Sequence, residues 1–198
     1  SSTQEEGGDK NENKILVIVG PSGVGKDTVM ANEVLKHKDK FKKGVTHTTR
    51  GKREGEEEGV NYYYVSKEEF LKMKDNNELV EYNEYNGNYY GLSKKELENG
   101  SKGEKILYVI IDINGANAIK KLNISANYVS ILSPDEGTLE KRLKGRGTET
   151  AEAIQGRLNT AKSELKSIGQ STLFNLKVIN TDLNQATDDF DKQLKQCY

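Results

Sequence analysis

The chain has 198 residues, 33% of them apolar, which suits one α/β domain with small insertions and still buries a real core. Thirty Lys and Arg against 31 Asp and Glu leave a net charge of -1, so no global basic field points to nucleic acid or a membrane surface, and any anion site must be local. The single cysteine, Cys197, excludes an intrachain disulfide and suits a reducing compartment.

The opening run, Ser1 to Lys14, is rich in Glu, Gly, Asn and Lys and carries no apolar stretch of the signal-peptide kind, so a disordered tail is expected over 1–13. No later window approaches the roughly 20 apolar residues that span a bilayer. These features predict a soluble, cytoplasmic protein, a monomer, with neither nucleic acid nor membrane as a partner.

Ile15 to Val19 is a continuous β-branched run, the pattern of a strand buried on both faces of a parallel sheet. A glycine-rich turn follows, and from Lys26 to about His37 the residues Val29, Met30, Val34 and Leu35 predict a helix. The strand signature returns at Ile106 to Ile111, Tyr128 to Leu132 and Leu176 to Ile179, with helical stretches between, which predicts a mostly parallel sheet. Between His47 and Leu92 the texture changes. Tyrosines at 62, 63, 64, 82, 85, 89 and 90 cluster with short strand-like runs and an Asn86-Gly87 turn signal, while Ser66 and Glu69 form a capping box ahead of Phe70, Leu71 and Met73. A small mixed insert is expected there. Gly137 to Gly147 reads as an irregular, Lys/Arg/Gly-rich mobile lid, followed by a helix with Ile154, Leu158, Ala161, Leu165 and Ile168 on one face.

The turn Gly20-Pro21-Ser22-Gly23-Val24-Gly25-Lys26 sits between a buried strand and a helix, the context that a nucleotide phosphate loop requires. Gly23 and Gly25 allow backbone N–H groups to turn inward around an anion at the positive helix end, with Lys26 on the β and γ phosphates. Asp27 stands where a Ser or Thr hydroxyl normally meets Mg²⁺, with Thr28 next, so Asp27 either ligates the ion or caps the helix.

Thr46-His47-Thr48-Thr49-Arg50-Gly51-Lys52-Arg53, then Gly55-Glu56, Val60-Asn61-Tyr62, Glu81, Gly87-Asn88-Tyr89-Tyr90-Gly91 and Lys141 to Thr150 occur in the order seen in guanylate kinases. The resemblance covers about residues 14 to 195. It implies the P-loop nucleoside monophosphate kinase fold: a parallel sheet flanked by helices (core 14–45, 94–136 and 159–198), a GMP-binding insert at 46–93 and a helical lid at 137–158. It implies ATP and GMP as substrates, with Mg²⁺ accompanying ATP. The resemblance assigns the GMP phosphate to Arg50, Arg53, Tyr62 and Tyr90, residue types that offer guanidinium forks and phenolic hydroxyls to an anion. Glu81 would accept from guanine N1–H and the exocyclic amine, a donor pair adenine lacks, with Thr46 near the base. Asp112, at the end of a predicted strand, would organise Mg²⁺ through water or contact GMP, or cap a helix. Lys26, Arg142, Arg146 and Arg157 would stabilise charge on the migrating phosphoryl group. ATP would lie on residues 20–28 with its adenine near Asn180.

Four positions in three segments depart from the family pattern. Asp27 is one, Leu92 stands where a Ser or Thr is usual, and Ile110 and Asn114 replace an Asp and a Gln around Asp112. Leu92 predicts a weaker GMP site, with Ser93 compensating only through a local shift. Guanylate-kinase-like binding modules that have lost catalysis are the alternative, but such modules typically have a damaged loop or lid, and Lys26 with its arginines is present here. A GTPase is disfavoured by the lack of an Asn-Lys-x-Asp motif. His37 and His47 read as surface or loop residues.

Overall fold

The computed structural model describes residues 13–145 and 149–198. All but the last residue of the expected tail, and Arg146 of the expected catalytic set, lie outside the described residues.

Ile15–Val19 forms β1, and all five side chains are at most 1% exposed. The reason is its place in the sheet. Five parallel strands run in the order β2 (Phe41–Lys43), β7 (Ile106–Ile110), β1, β8 (Ala126–Leu132), β9 (Leu176–Ile179), so β1 is central and covered on both faces. Alternation then divides its residues between two cores. Leu16 and Ile18 pack with Val29 and Met30 of α1 (Lys26–Lys36) and with Phe190 and Leu194 of α7 (Leu183–Cys197). Ile15, Val17 and Val19 pack with Leu97 of α3 (Lys94–Ser101) and with Ala116 and Ile119 of α4 (Ile113–Lys121). Each such buried aliphatic side chain contributes about 1.5–3 kcal/mol. The chain runs from β1 to the edge at β2, returns to β7, and then crosses β1 to reach β8. The carboxyl ends of β1 and β7 therefore flank the point where the winding reverses, where open α/β sheets bind ligands.

A second sheet, ordered β4 (Tyr63–Tyr64), β3 (His47–Thr48), β6 (Asn88–Ser93), β5 (Leu79–Tyr85), lies within 47–93. Its β5–β6 hairpin turns at Asn86 (φ 48°) and Gly87 (φ 77°), the positive dihedrals that the Asn-Gly pair supplies. Ser66 and Glu69 cap α2 (Lys67–Asp75) reciprocally, and Phe70 of that helix, fully buried, stacks on Tyr89 at 5.3 Å. Gly91 permits this approach, because a Cβ there would stand 2.9 Å from the Phe70 ring.

Two sequence expectations need correcting. The stretch 137–147 is not irregular over most of its length: Glu136–Lys144 is a helix, α5, N-capped by Asp135 and anchored by buried Leu139 and Leu143. The density of charge there conceals an i,i+4 leucine pair. In α1, Leu35 was expected on the packed face but is 65% exposed, while Glu33 is fully buried. At about 100° per residue, Glu33 falls between Val29 and Met30 on the helix circumference, and Leu35 falls opposite. The long helix α6 (Ala151–Gln170) does bury Leu158, Ala161 and Ile168 as its periodicity requires.

Phe70 belongs to neither main core, so Phe70→Ala should loosen the second sheet selectively. The expected cost is about 3–5 kcal/mol. Hydrogen exchange checks this: amides of α2, β5 and β6 should exchange faster while those of β1 and β8 keep their protection.

Candidate active site

Among the described residues, helices α2 to α7 each start with a side-chain cap, from Ser66, Ser93, Asp112, Asp135, Thr150 and Asp182. Helix α1 does not. It starts at Gly25 (φ 87°) with no side-chain cap, directly after the loop that leaves β1. The free N–H groups of its first turn and the positive dipole end therefore face the place where a phosphate would sit. Gly20, Gly23 and Gly25 are steric requirements as well. Added Cβ atoms would stand 2.5 Å from the Ile131 carbonyl oxygen, 2.8 Å from Leu143 and 2.9 Å from Asn180, respectively.

The loop is braced from behind. Asn180 Nδ2 donates to the Val24 carbonyl at 2.8 Å, and its own backbone N–H donates to Leu132 at 2.7 Å. The Arg142 guanidinium donates to the carbonyls of Asn180 (2.8 Å), Thr181 (3.3 Å) and Val24 (3.4 Å). Arg142 thus ties α5 to the loop in this conformation, and a role over a migrating phosphoryl group requires those bonds to exchange. Arg157 of α6 is paired with Glu149, just ahead of that helix.

Two cavities meet in front of the sheet. One, about 240 Å³, is lined by Gly20, Lys26, Asn83, Asp112 and Glu164. The other, about 220 Å³, is lined by Asp27, Lys43, Thr46, Asn61, Tyr62 and Leu92. Glu81, Ile110 and Ile111 line both. Glu81 therefore stands between the phosphate end and the insert. Its carboxyl lies against Gly115, where a Cβ would be 2.9 Å from Oε2. Burial and then the Asp112 charge push its pKa up to about 6. Asp112 itself N-caps α4, its Oδ1 accepting from Gly115 N–H at 2.8 Å, so the cap reading and the cavity reading both hold for it.

On the insert, Arg50 is locked by local chemistry. Thr48 and Thr49 sew its loop to Tyr89 through bonds of 2.9 Å, and Thr48 Oγ1 also accepts from Arg50 N–H. Glu56 takes the Arg50 guanidinium end-on (2.9 and 2.8 Å) and the Arg53 N–H (2.8 Å), and these bonds hold its pKa at about 2. With Gly51 accepting a third N–H at 3.0 Å, the Nε–H and one Nη2–H of Arg50 are left for Tyr62, which also hydrogen-bonds this side chain, and for an anion. Its Cζ lies 5.1 Å from the Tyr62 ring centre, and Tyr62 lies 5.9 Å from Tyr90. Arg53 is exposed beside them.

Leu92 is fully buried against Val17 and Leu97 as well as reaching the cavity. Ser93 does not compensate, because its hydroxyl caps α3 by accepting from Glu96 N–H. His47, half-buried, packs on Tyr63 at 4.8 Å with burial lowering its pKa, and His37 caps the end of α1. His37, part-exposed in the bend after α1, is the surface or loop residue expected, whereas His47 sits in β3. Sequence reasoning missed Glu56, Asn83 and Glu164. Asn83 was legible as the same-face neighbour of Glu81 two residues on, and Glu164 as lying seven residues along one helix from Arg157; nothing local marked Glu56 as the partner of Arg50.

Removing the Asn180 brace tests the loop. Asn180→Ala leaves the buried Val24 carbonyl without its 2.8 Å donor and should cost about 1–3 kcal/mol in urea titrations, together with weaker triphosphate binding.

The sequence matches the guanylate kinase family over residues 12–197. The guanylate kinase of Schizosaccharomyces pombe is 38% identical over 173 residues, 87% of this chain and 86% of that one. The human guanylate kinase is 34% identical over 181 residues, 91% and 92% of the two chains. The crystal structure of guanylate kinase from Anaplasma phagocytophilum aligns with a TM-score of 0.61 at 28% identity, covering 92% of this chain and 85% of that one. The SH3-kinase fragment of tight junction protein 3 shares the fold alone, at a TM-score of 0.50 and 8% identity. An uncapped phosphate-loop helix, an arginine–tyrosine cluster facing it and a family match over nearly the whole length agree: the chain belongs to the guanylate kinase family.

Proposed function

We propose that in this chain, an ATP:GMP phosphotransferase by family, the loop 20–28 with Lys26 holds the phosphates of ATP, Arg50, Arg53, Tyr62 and Tyr90 hold the phosphate of GMP, and Glu81 reads the guanine. The observation that carries this division is the pair of cavities sharing Glu81, one ending at Lys26 and the other at Tyr62 and Thr46. The reaction joins a GMP phosphate oxygen to the γ-phosphorus of ATP and releases ADP. A substrate phosphate ionised at neutral pH is already a nucleophile, so positioning and charge neutralisation supply the catalysis. Lys26, Arg142, Arg146 and Arg157 are the cations for that charge. Closure of the segment 137–158 over the loop would exclude water and exchange the bonds of Arg142 from carbonyls to phosphate. Adenine is assigned beside Asn180, whose Oδ1 is a buried acceptor without a partner.

The residues present fit Mg²⁺, which would neutralise the β and γ phosphates. Asp112 lines the Lys26 cavity with one oxygen already on the α4 cap, and Asp27 lines the other cavity from the first turn of α1. Two separated carboxylates suit an ion that keeps most of its water and reaches protein through few ligands. The lone cysteine supports a reducing, cytoplasmic setting. No helix among the described residues is long and apolar enough to cross a membrane.

Coupled ADP release with GMP, AMP, UMP and CMP tests the assignment: turnover should require GMP, and GMP-independent hydrolysis or no turnover refutes it. In the same assay Lys26→Ala should lower kcat by about 100- to 1,000-fold, the scale for one electrostatic donor to a transition state. Arg50→Ala should raise the KM of GMP with little effect on that of ATP.

Glu81 gives the site a pH signature. Its carboxyl, with a pKa of about 6, must be ionised to accept two N–H groups, so the KM of GMP should rise as pH falls below 6. The GMP phosphate has its own second ionisation near pH 6, which Glu81→Gln separates. That variant should show a higher KM and lose the part of the pH dependence that belongs to the side chain. An identical profile in both proteins would assign the whole effect to the substrate.

A further inference from the structure

We propose that Glu33, His37 and Asp191 form a binding site for a divalent d-block cation of the Zn²⁺ class, which clamps the end of α1 to α7. The site lies away from the nucleotide cavities: the 11 residues of α1 separate Gly25 from His37, a rise of about 18 Å over the twelve steps. Glu33 lies in the buried stripe of α1, four residues on from Val29, where an apolar residue is the ordinary solution, and His37 follows one turn later at the part-exposed end of the helix. Asp191 projects from the facing turn of α7 beside buried Phe190 and Leu194.

The three side chains offer one ligand atom each within 4.8 Å of one another. His37 Nε2 is 2.7 Å from Asp191 Oδ1 and 3.7 Å from Glu33 Oε1. The Glu33 side chain is fully buried, and neither of its oxygens has a hydrogen-bond donor. An ionised carboxylate so placed is costly unless a proton or a cation neutralises it. A proton is the apo solution. Burial, followed by the hydrogen bond to Asp191 and its charge, pushes the Glu33 pKa up. Asp191, although burial acts to raise it, is held below the usual carboxylate range by bonds from Glu33, Lys195 and His37 and stays ionised.

The donor set selects the ion. One imidazole with two carboxylates suits Zn²⁺ and its neighbours, whereas Mg²⁺ prefers oxygen ligands and water. Ligands about 2.0–2.2 Å from Zn²⁺ in a tetrahedron stand about 3.3–3.6 Å apart, between the 2.7 and 3.7 Å from His37 to the two carboxylates. The fourth position opens to solvent on the side of His37, whose side chain is 30% exposed. Of the nearby cations, Lys36 pairs with Asp188 at 2.7 Å, whereas Lys195 is bound to the site itself, on Asp191 Oδ2 at 3.0 Å, and leaves Oδ1 to His37.

The test uses the full chain, tag-free and stripped with a chelator, titrated with Zn²⁺ by calorimetry and with Co²⁺ by visible absorption. One ion per chain, a tetrahedral cobalt spectrum without a thiolate band, and a rise in Tm on adding Zn²⁺ are expected. Glu33→Gln, His37→Ala and Asp191→Asn should each lose the spectrum and the Tm rise, while His37→Ala turns over Mg·ATP and GMP at the unmodified rate. Should Glu33→Gln fail to fold, His37→Gln at its part-exposed position gives the same readout. Absence of stoichiometric binding, binding that survives the His37 variants, or a thiolate-to-cobalt band that places the ion on Cys197 overturns the proposal.

Discussion

Everything at the nucleotide end of this molecule depends on one helix terminus being left uncapped. Six described helices satisfy their first-turn N–H groups with a Ser, Thr or Asp side chain, and α1 leaves its own for a ligand. Such a terminus is held in place only if the rest of the fold supplies rigidity. The parallel sheet does so by burying β1 on both faces, and the bonds from Asn180 and Arg142 do so by fixing the Val24 carbonyl behind the loop. The glycines then matter for what they omit, since Ile131, Leu143 and Asn180 occupy the space a side chain would need.

The acceptor side solves the opposite problem of keeping cations and a carboxylate in order when no anion is bound. Arg50 is held by Glu56 and faced by Tyr62, so its remaining donors are oriented before a phosphate arrives, which lowers the ordering cost of binding. Glu81 is set between two cavities close to Asp112, and the unfavourable proximity of two carboxylates shows as a raised proton affinity. Leu92 makes this wall part of the core, although it also lines the cavity.

The α1–α7 seam is polar where a core is expected. Glu33, His37 and Asp191 sit there together with the Asn32–Thr187 and Lys36–Asp188 pairs. Periodicity misplaced this seam because it favours apolar residues. It predicted Leu35 inward, whereas the arc between Val29 and Met30, which packs on the sheet and α7, carries Glu33 to the interior.

The sequence by itself determined the local devices: a β-branched run before Gly20 to Lys26, the capping box of Ser66 and Glu69, the Asn86-Gly87 turn and the amphipathic face of α6. Each depends on residues a few positions apart, so spacing alone reveals it. The motifs in order also disclosed the family. What the tertiary structure decided is every relation between distant segments. It placed Glu164 beside Ser22, ended Glu81 against Gly115 and turned Arg142 toward the carbonyls of Val24 and Asn180. These pairings join residues up to 142 positions apart. They depend on how helices and sheet pack, which no local pattern encodes, because one side chain type can serve a cap, a brace or a ligand with equal chemistry.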